Sequence, residues 1–266
     1  MQKEVITFSF GQNWKNYLNK VGTSGLTSAK DQIKDWLVNS GGCDLKSASV
    51  IDIGSGSGLM SLSLYMLETK NITSFDYDIH SVESTKYLKN MKDNPKNWEI
   101  FQGSVLDKNL INKLPKYDVV YSWGVLHHTG KMWEAISNAA ELVKQDGLFY
   151  FSIYAAGPLY PKHLKLKQKY NNGSWLTKKM MEWKEIRKCM RLAKKRYGSR
   201  FKWNRIKEDE RGMDVYHDII DWLGGLPYEV ATPDEIDSFM TQRNFVQVRV
   251  LKRDEGGCSE YLYRKL

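Results

Sequence analysis

The sequence predicts an α/β protein whose core is a doubly wound, mostly parallel sheet. Between residues 49 and 154, five short apolar segments alternate with segments of helical period. Strands that alternate with helices in this way form parallel sheets with helices on both faces. Two further strand-like segments, Val246–Leu251 and Glu260–Tyr263, follow near the end of the chain. We therefore expect a seven-stranded sheet that is completed by an antiparallel hairpin.

The predicted elements follow one another along the chain. The five core strands are Ser49–Ile53, Ile72–Phe75, Trp98–Phe101, Tyr117–Tyr121 and Gly147–Tyr154. Helices are predicted near Ser28–Val38, Leu59–Leu67, Ser81–Met91 and Met132–Val143. In the first helix, Ile33, Trp36 and Leu37 are expected to face inward. The segment from Thr232 to Glu235 is typical of a capping box with proline in the first helical position, so it predicts the start of the last helix.

A helical insertion interrupts this alternation. Its long helix is predicted over Leu176–Tyr197 and a shorter one over Met213–Trp222. Apolar residues three or four positions apart predict a buried stripe on the long helix, formed by Leu176, Met180, Trp183, Met190, Ala193 and Tyr197. We expect the insertion to be a lid. The predicted domains are then 1–48 as an N-terminal cap, 49–155 as the core, 156–230 as the lid, and 231–266 as the closing helix and hairpin.

The net charge of +9 is concentrated in the predicted lid. Ala156–Val215 holds 18 Lys and Arg against 6 Asp and Glu, a net charge of +12, so the remainder of the chain carries −3. A basic segment of this kind is either a solvated helical surface or a surface that attracts an anionic small molecule or a nucleic acid. The sequence leaves these alternatives open.

Composition excludes several classes of protein. The chain is 41% hydrophobic, enough for a core, but it has no run of 18 apolar residues, so no membrane-spanning helix is expected. The first residues lack the basic and apolar regions of a signal peptide. Three scattered cysteines, Cys43, Cys189 and Cys258, suit a reducing compartment and predict neither a disulfide framework nor a zinc site. We therefore expect a cytoplasmic location and no bound metal.

The stretch Val50–Leu59, VIDIGSGSGL, is the centre of the predicted functional site. Gly54, Gly56 and Gly58 stand between a buried strand and a helix. Glycine permits the positive φ that a tight turn needs, and the helix N-terminus beyond it presents N–H groups to a ligand. Asp76 ends the second strand, where a carboxylate can accept hydrogen bonds from both hydroxyls of a ribose. The GxGxG spacing differs from the GxGxxG of dinucleotide enzymes.

These motifs resemble those of the class I S-adenosylmethionine-dependent methyltransferases. The resemblance covers Ser49–Tyr154 well and Thr232–Leu266 in outline. The matching motifs are the glycine turn Asp52–Gly58, the ribose acid Asp76, the adenine-edge motif Gly103–Val105, where Ser104 replaces a frequent Asp, and the segment Asp118–His128 after the fourth strand. The resemblance implies a Rossmann-like fold, methyltransferase activity and S-adenosylmethionine as cofactor, with S-adenosylhomocysteine as its product.

The resemblance also implies which residues hold the cofactor. The Asp52 carboxylate and the backbone of Gly54–Gly56 would contact the methionine portion of the cofactor, and Asp76 would bind its ribose. Tyr77 and Val105 would flank the adenine, while Ser104 would reach its polar edge. The residues expected to bind the cofactor are Trp14, Asp52, Gly54, Ser55, Gly56, Asp76, Tyr77, Ser104, Val105, Ser122, Trp123 and Gly124.

Candidate bases and substrate residues lie after the fourth strand and in the lid. A hydroxyl acceptor needs a base, and imidazole is the usual one at neutral pH. His127 and His128 lie beside the expected methyl group, and His217 is the candidate from the lid. A carboxylate or phosphate acceptor would need no base. The residues predicted to bind the substrate are Tyr17, Asp214, Tyr216, Asp218, Asp221 and Glu229.

The leading functional hypothesis is O-methylation of a polar or anionic small molecule. A sugar, a phosphorylated intermediate or a surface-polysaccharide precursor would suit a large lid with polar residues. An RNA methyltransferase that uses the basic lid, and a cofactor-binding regulator without catalysis, are the alternatives. Methylation of a quinone precursor also stays open and predicts an apolar patch that faces a membrane. DNA base methylation is disfavoured, because the chain lacks both an Asp/Asn-Pro-Pro-Tyr/Phe tetrapeptide and a Pro-Cys nucleophile.

Overall fold

A seven-stranded sheet carries the fold. The computed structural model describes residues 23–198 and 215–266. Its strands are β1 (Ser49–Ile53), β2 (Asn71–Asp76), β3 (Trp98–Gln102), β4 (Tyr117–Ser122), β5 (Val143–Tyr154), β6 (Phe245–Leu251) and β7 (Cys258–Lys265). They lie in the order β3-β2-β1-β4-β5-β7-β6, with β1 to β5 parallel and β7 antiparallel to both β5 and β6. The predicted Rossmann-like sheet with its closing hairpin is confirmed.

Helices flank this sheet and fill the insertion. They are α1 (Thr23–Ile33), α2 (Leu59–Met66), α3 (Ile79–Asn90), α4 (Lys108–Lys113), α5 (Met132–Glu141), α6 (Tyr160–Asn171), α7 (Trp175–Tyr197), α8 (Val215–Gly224) and α9 (Pro233–Thr241). A π-helical segment, Lys34–Ser40, continues α1, and a 3₁₀ turn forms at Leu126–His128. Helices α4 and α6 were not predicted. The capping box is confirmed, because the Thr232 hydroxyl accepts from the Glu235 N–H and the Glu235 carboxylate accepts from the Thr232 N–H.

Hydrophobic cores lie on both faces of the sheet. On one face, Phe149 and Phe151 of β5 pack with Ile136 of α5 and Ile236 of α9. On the other face, the intervening residue Tyr150 stacks on Trp36 with ring centroids 4.8 Å apart. Successive side chains of a strand point to opposite faces, so a strand buried on both sides has a nearly continuous apolar sequence. The inward orientation predicted for Ile33, Trp36 and Leu37 is confirmed, since all three are buried.

The stripe predicted to be buried on the long helix is wrong for four of its members. Leu176, Met180, Trp183 and Met190 are 71%, 48%, 55% and 42% exposed. Helix α7 instead packs through its other side, where Met181 and Ala193 are buried, against α6 and α8. The helix carries two apolar rows, and periodicity alone does not tell which one meets the protein. The side chain of Tyr197 lies outside the described part of the chain.

The topology gathers the functional segments at one edge of the sheet. The carboxyl ends of the parallel strands and the amino end of β7 meet there. Helices α6, α7 and α8 come between β5 and the closing helix α9 in the chain. In open α/β sheets, ligands bind in the crevice at this edge, at the point where the strand order reverses. Among the residues described, no helix is long and apolar enough to cross a membrane.

Candidate active site

A cavity of about 1060 Å³ runs along the carboxyl edge of the sheet. One end is lined by the glycine turn after β1 and by the ends of β2 and β3. The other end is lined by Tyr154, by residues of α8, and by residues of the hairpin β6–β7. The first end is the expected donor site. We call the second end, lined by Tyr154, Asp218, Asp221, Trp222, Cys258 and Glu260, the acceptor end.

The glycine turn forms a close-fitting cradle at the donor end. Gly54, Gly56 and Gly58 all have positive φ, at 76°, 54° and 81°. A Cβ on Gly54 would lie 2.4 Å from the Val125 side chain, and one on Gly58 would lie 2.8 Å from the Thr85 backbone. Both the left-handed conformation and the lack of space therefore require glycine at these two positions.

Asp76 is positioned by backbone groups at the mouth of this cradle. Its two carboxylate oxygens accept hydrogen bonds from the N–H groups of Gly56 and Asp78, both at 2.9 Å. Burial raises the pKa of Asp76 to about 6, while these backbone hydrogen bonds oppose the rise. The carboxylate is thus mostly ionised at neutral pH, and each oxygen keeps a lone pair for a ligand hydroxyl.

Asp52 lies deeper, beneath the glycine turn. It is 1% exposed, and the Ser61 hydroxyl of α2 donates to it at 2.5 Å. Burial raises the pKa of Asp52 to about 7, with a further contribution from the nearby charge of Asp76. Asp52 therefore ties β1 to α2 and also contributes to the cavity wall.

The remaining donor-side residues follow the next two strand ends. Tyr77, Ser104 and Val105 line the cavity, and Tyr77 is 72% exposed. The Ser104 hydroxyl accepts from the Leu106 N–H at 3.2 Å, which holds the turn after β3. Ser55, Trp123 and Gly124 also line the wall.

The residues at the donor end fit the cofactor that the resemblance implies. An adenosine ligand needs a hydrogen-bond acceptor for the ribose hydroxyls, and the Asp76 carboxylate is held at the strand end for such a contact. The ligand also needs a turn whose backbone it can approach closely, and Gly54 and Gly56 line the cavity without side chains. Val105 and Tyr77 supply apolar surface on the same wall.

Two adjacent histidines form the wall between the donor and acceptor ends. His127 is completely buried, and neither of its ring nitrogens forms a hydrogen bond within the described part of the protein. The backbone of Ser152 lies close to the ring and favours its protonated form, which opposes the effect of burial. The His128 Nδ1 lies 2.6 Å from the Pro227 carbonyl oxygen, which accepts a hydrogen bond from the Nδ1–H group. This bond makes Nε2 the proton-accepting nitrogen of His128.

Both histidines are neutral. Burial lowers the pKa of His127 well below 6.5, and the neighbouring His128 and Lys167 act in the same direction. Burial also lowers the pKa of His128 to about 3, again assisted by Lys167. The two rings lie 4.4 Å apart, and the His127 ring lies 4.3 Å from the Tyr154 ring. The pair therefore presents imidazole rather than imidazolium at neutral pH.

Lys167 is a buried cation behind the histidines that sequence reasoning missed. It is 0% exposed, and its ammonium group donates a hydrogen bond to the Trp222 carbonyl. The ammonium lies 4.6 Å from the ring centroid of Tyr228, 4.8 Å from that of Trp222 and 5.4 Å from that of Tyr154. Burial lowers the pKa of Lys167 to about 7. The lysine therefore links α6 to α8 and to the end of β5.

Further residues at the cavity were missed because they belong to ordinary-looking helix and strand sequences. Glu260 is 4% exposed, and its carboxylate accepts from the Tyr150 hydroxyl at 2.5 Å and from the Gln32 amide at 3.0 Å. The Arg253 guanidinium lies 3.8 Å from its other oxygen. The only signal in the sequence was a carboxylate within an otherwise apolar segment, EYLY.

The structure places three predicted site residues away from the cavity wall. The Ser122 hydroxyl donates to the Ile53 carbonyl at 3.0 Å, so it joins β4 to β1. The Tyr216 hydroxyl donates to Glu182 at 2.9 Å within the insertion. The Glu229 carboxylate accepts from the Met132 N–H at 3.0 Å and caps α5. The polar atoms of all three residues take part in these contacts within the protein.

Other predicted residues divide between the wall and the part of the chain that is not described. Asp218 and Asp221 line the acceptor end, and their predicted contact with the substrate stays a prediction. Trp14, Tyr17 and Asp214 lie outside the described residues, and so does the side chain of His217. No group of three or more His, Cys, Asp or Glu among the described residues is arranged to hold a metal ion.

Comparison with known proteins agrees with this geometry. A family model described as a methyltransferase domain matches residues 44–206, which is more than half of the chain. The ribosomal protein L11 methyltransferase of Staphylococcus saprophyticus is 34% identical over 106 residues, covering 40% of this chain and 32% of the relative. The match thus spans about a third of that relative's length.

Two solved structures share the fold over nearly the whole chain. Magnesium protoporphyrin IX methyltransferase from Synechocystis, with bound S-adenosylhomocysteine, has a TM-score of 0.56 at 14% identity and covers 96% of this chain and 94% of its own. The N-methyltransferase NodS from Bradyrhizobium japonicum, also in complex with S-adenosylhomocysteine, has a TM-score of 0.52 at 11% identity. The match covers 97% of this chain and 98% of NodS. At these identities the likeness shows the fold.

Proposed function

This chain belongs to the methyltransferase-domain family of class I S-adenosylmethionine-dependent enzymes, and from that premise we propose that it methylates a hydroxyl oxygen of a polar small molecule. The bound cofactor supplies a methyl group already activated on a sulfonium. The protein therefore has to align the acceptor, exclude water and receive a proton. Alignment of reacting groups is worth roughly 7–11 kcal/mol in favourable cases.

The observation that carries this proposal is the neutral, buried histidine pair on the cavity wall. A hydroxyl acceptor holds its proton at neutral pH, so its methylation needs a proton acceptor close to the reacting oxygen. His127 lines the cavity and has two ring nitrogens without hydrogen bonds in the described protein. Buried polar atoms nearly always have a hydrogen-bond partner, so two ring nitrogens without one favour a contact with a ligand. We assign the base to His127, with His128 packed against it.

The acceptor end supports a hydroxyl-rich substrate such as a sugar. Asp218 and Asp221 lie on its wall, and Arg249 and Arg253 also line the cavity. Hydroxyl groups can donate to carboxylates and accept from guanidinium groups, so such a wall suits a polyol. No lysine among the described residues lines the cavity. The basic charge of the insertion therefore gives little support to an anionic acceptor.

The proposed function can be tested before the acceptor is identified. The protein is incubated with methyl-labelled S-adenosylmethionine and a cell extract separated into small molecules, RNA and protein. We expect label in the small-molecule fraction, in a bond that resists alkali and releases labelled methyl iodide in hydriodic acid, as a methyl ether does. Label confined to RNA or protein, or an alkali-labile methyl ester, would contradict the proposal. Absence of label from every fraction, despite cofactor binding, would favour a regulator.

The same assay tests the assigned base. Replacing His127 with Asn should lower the labelling rate by about 100-fold or more, because a positioned general base contributes at least that much. His80→Asn, at a half-buried position near the start of α3 and outside the cavity wall, is the matched control and should retain the rate. Equal rates for His127→Asn and wild type would exclude His127 as the base.

A further inference from the structure

Helix α7 carries an apolar row on its outer surface. Leu176, Met180, Trp183 and Met190 follow one another at intervals of four, three and seven residues, so they share one face. They are between 42% and 71% exposed, and Trp175 at the start of the helix is 69% exposed. Single exposed apolar residues are ordinary, whereas several on one helix face mark an interaction surface. Arg187 occupies the position of this row between Trp183 and Met190.

Basic residues border this row. The 23 residues of α7 include nine Lys or Arg and two Glu. Lys184, Lys188 and Arg191 are exposed on the side of the helix next to the row. The Arg187 guanidinium lies 4.3 Å from the centre of the Trp183 ring, so a cation also lies over the apolar surface. One of the two acids, Glu182, is buried and bonded to Tyr170.

We propose that the outer face of α7 docks on an anionic membrane surface. Helices that lie in a membrane interface combine an apolar face that contains Trp, Leu or Met with a polar face rich in Lys and Arg. The apolar row enters the boundary between headgroups and acyl chains, and the bordering cations meet the lipid phosphates. The helix remains parallel to the surface, since it is not apolar enough to span a bilayer.

The positive charge of α7 favours an anionic lipid surface over a second copy of this chain, and its apolar row favours the lipid surface over a nucleic acid. In a symmetric dimer, α7 of one copy would face α7 of the second, and two strongly basic helices would repel each other. A nucleic acid would use the cations but would leave the apolar row without a partner. An anionic lipid surface satisfies both the cations and the apolar side chains.

Docking of α7 would also determine where the cavity lies relative to the membrane. The opposite side of α7 packs against α8, which contributes Asp218, Asp221 and Trp222 to the acceptor end. Docking would therefore bring the insertion, and with it this end of the cavity, close to the lipid surface. The proposal does not depend on the identity of the acceptor.

Vesicle sedimentation tests the proposal with the whole protein. We expect the protein to sediment with vesicles of phosphatidylcholine that contain about 30 mol% phosphatidylglycerol, to bind pure phosphatidylcholine much less, and to be released by salt. The variant with Leu176→Ser, Met180→Ser and Trp183→Ser should bind at least about tenfold more weakly, because apolar burial is lost. Lys184→Glu with Arg191→Glu should also weaken binding.

Matched controls distinguish binding through this surface from nonspecific binding to vesicles. Tyr87→Ser with Met91→Ser removes two apolar side chains of similar exposure on the α3 segment, and it should leave vesicle binding unchanged. Lys86→Glu with Lys96→Glu is the corresponding charge control. Affinity for S-adenosylhomocysteine and the melting temperature establish that each variant is folded. Should the serine variant not fold, quenching of wild-type tryptophan fluorescence by brominated lipids, compared with Trp183→Phe, gives the same information.

Three results would overturn the proposal. The first is a lack of wild-type binding to the anionic vesicles. The second is unchanged binding by the serine variant when the Glu variant has lost it, which would make the surface purely electrostatic, as for a nucleic acid. The third is a dimer in analytical ultracentrifugation that the serine variant abolishes, which would make the row a contact between two copies of this chain.

Discussion

A single carboxylate, Asp76, connects the glycine turn with the end of β2. Two backbone N–H groups hold its oxygens, and we propose that these oxygens bind the ribose hydroxyls of the cofactor. Asp76→Asn removes the charge and one acceptor, so we expect affinity for S-adenosylhomocysteine to fall at least about tenfold in titration calorimetry. Glu99→Gln on the exposed side of β3 is the control. Unchanged affinity in Asp76→Asn would remove this residue from the donor site.

Wild-type donor affinity should also depend on pH. Burial raises the pKa of Asp76 to about 6, so the carboxylate takes up a proton as the pH falls through that value. The protonated group cannot accept two hydroxyl hydrogen bonds as strongly as the anion does. We therefore expect calorimetry to give weaker binding at pH 5 than at pH 7, and a smaller difference in Asp76→Asn, where only Asp52, with a pKa of about 7, still titrates at the donor end. A constant affinity down to pH 5 would contradict this assignment.

The histidine pair gives a second prediction at the scale of the residue. Because burial depresses the pKa of both rings, His127 and His128 should remain neutral at pH 5. Nuclear magnetic resonance of ring-labelled protein reports this state directly, and His127→Asn and His128→Asn assign the signals. The appearance of imidazolium shifts for either ring at pH 6 would show that the site is open to water.

Single residues also show where sequence reasoning succeeds and where it fails. The glycine turn and the carboxylate at the end of β2 were predictable because their spacing follows from a strand-turn-helix unit. Lys167 was not predictable, since a lysine within a lysine-rich helix is normally exposed. Its burial depends on aromatic rings of β5 and α8, and the Trp222 ring of α8 lies 55 residues away in the chain.

At the scale of the element, the turn between β1 and α2 can be tested by a matched pair of glycine substitutions. Gly54 and Gly42 both have positive φ, but a Cβ would strike Val125 only at Gly54, and at Gly42 it would meet open space. Both alanine variants should lose about 1 kcal/mol through backbone strain. Only Gly54→Ala should also lose donor binding, by at least about tenfold in calorimetry. Equal donor affinities in the two variants would refute the close-fitting cradle.

The helices of the insertion were less predictable than the strands of the sheet. A strand buried on both faces has one apolar pattern, so β1, β2 and β4 were placed almost to the residue. Helix α7 has two apolar rows, and the more regular one faces outward. Helix α6 was missed because its sequence, YPKHLKLKQKYN, has few apolar residues to mark a face.

At the scale of the whole molecule, the sheet order determines which segments meet. Because β7 is antiparallel to β5, its amino end brings Glu260 to the edge where β1 and β2 end. The sequence predicted the hairpin but not this consequence for the cavity. The contacts of the acceptor end, which join α1, α8 and the hairpin, depend on tertiary packing that no local pattern specifies.

The link between the insertion and the core can be tested through the pH dependence of stability. Burial lowers the pKa of Lys167 from 10.5 in the unfolded chain to about 7 in the folded protein. Folding therefore releases a proton from Lys167 at pH values between about 7 and 10.5. The unfolded state then binds more protons, and wild-type stability gains from rising pH across this window. Below pH 7 the lysine is charged in both states, and this gain is absent.

Lys167→Met keeps the length of the side chain and removes its titration. The melting temperature of wild type relative to this variant should therefore rise between pH 6.5 and 9.5, by at least about 3 °C for a protein of this size. Lys165→Met, on the exposed side of the same helix, should show no such trend. A constant difference between wild type and Lys167→Met would mean that the lysine is hydrated, and that α6 does not close over Tyr154 and the histidine pair.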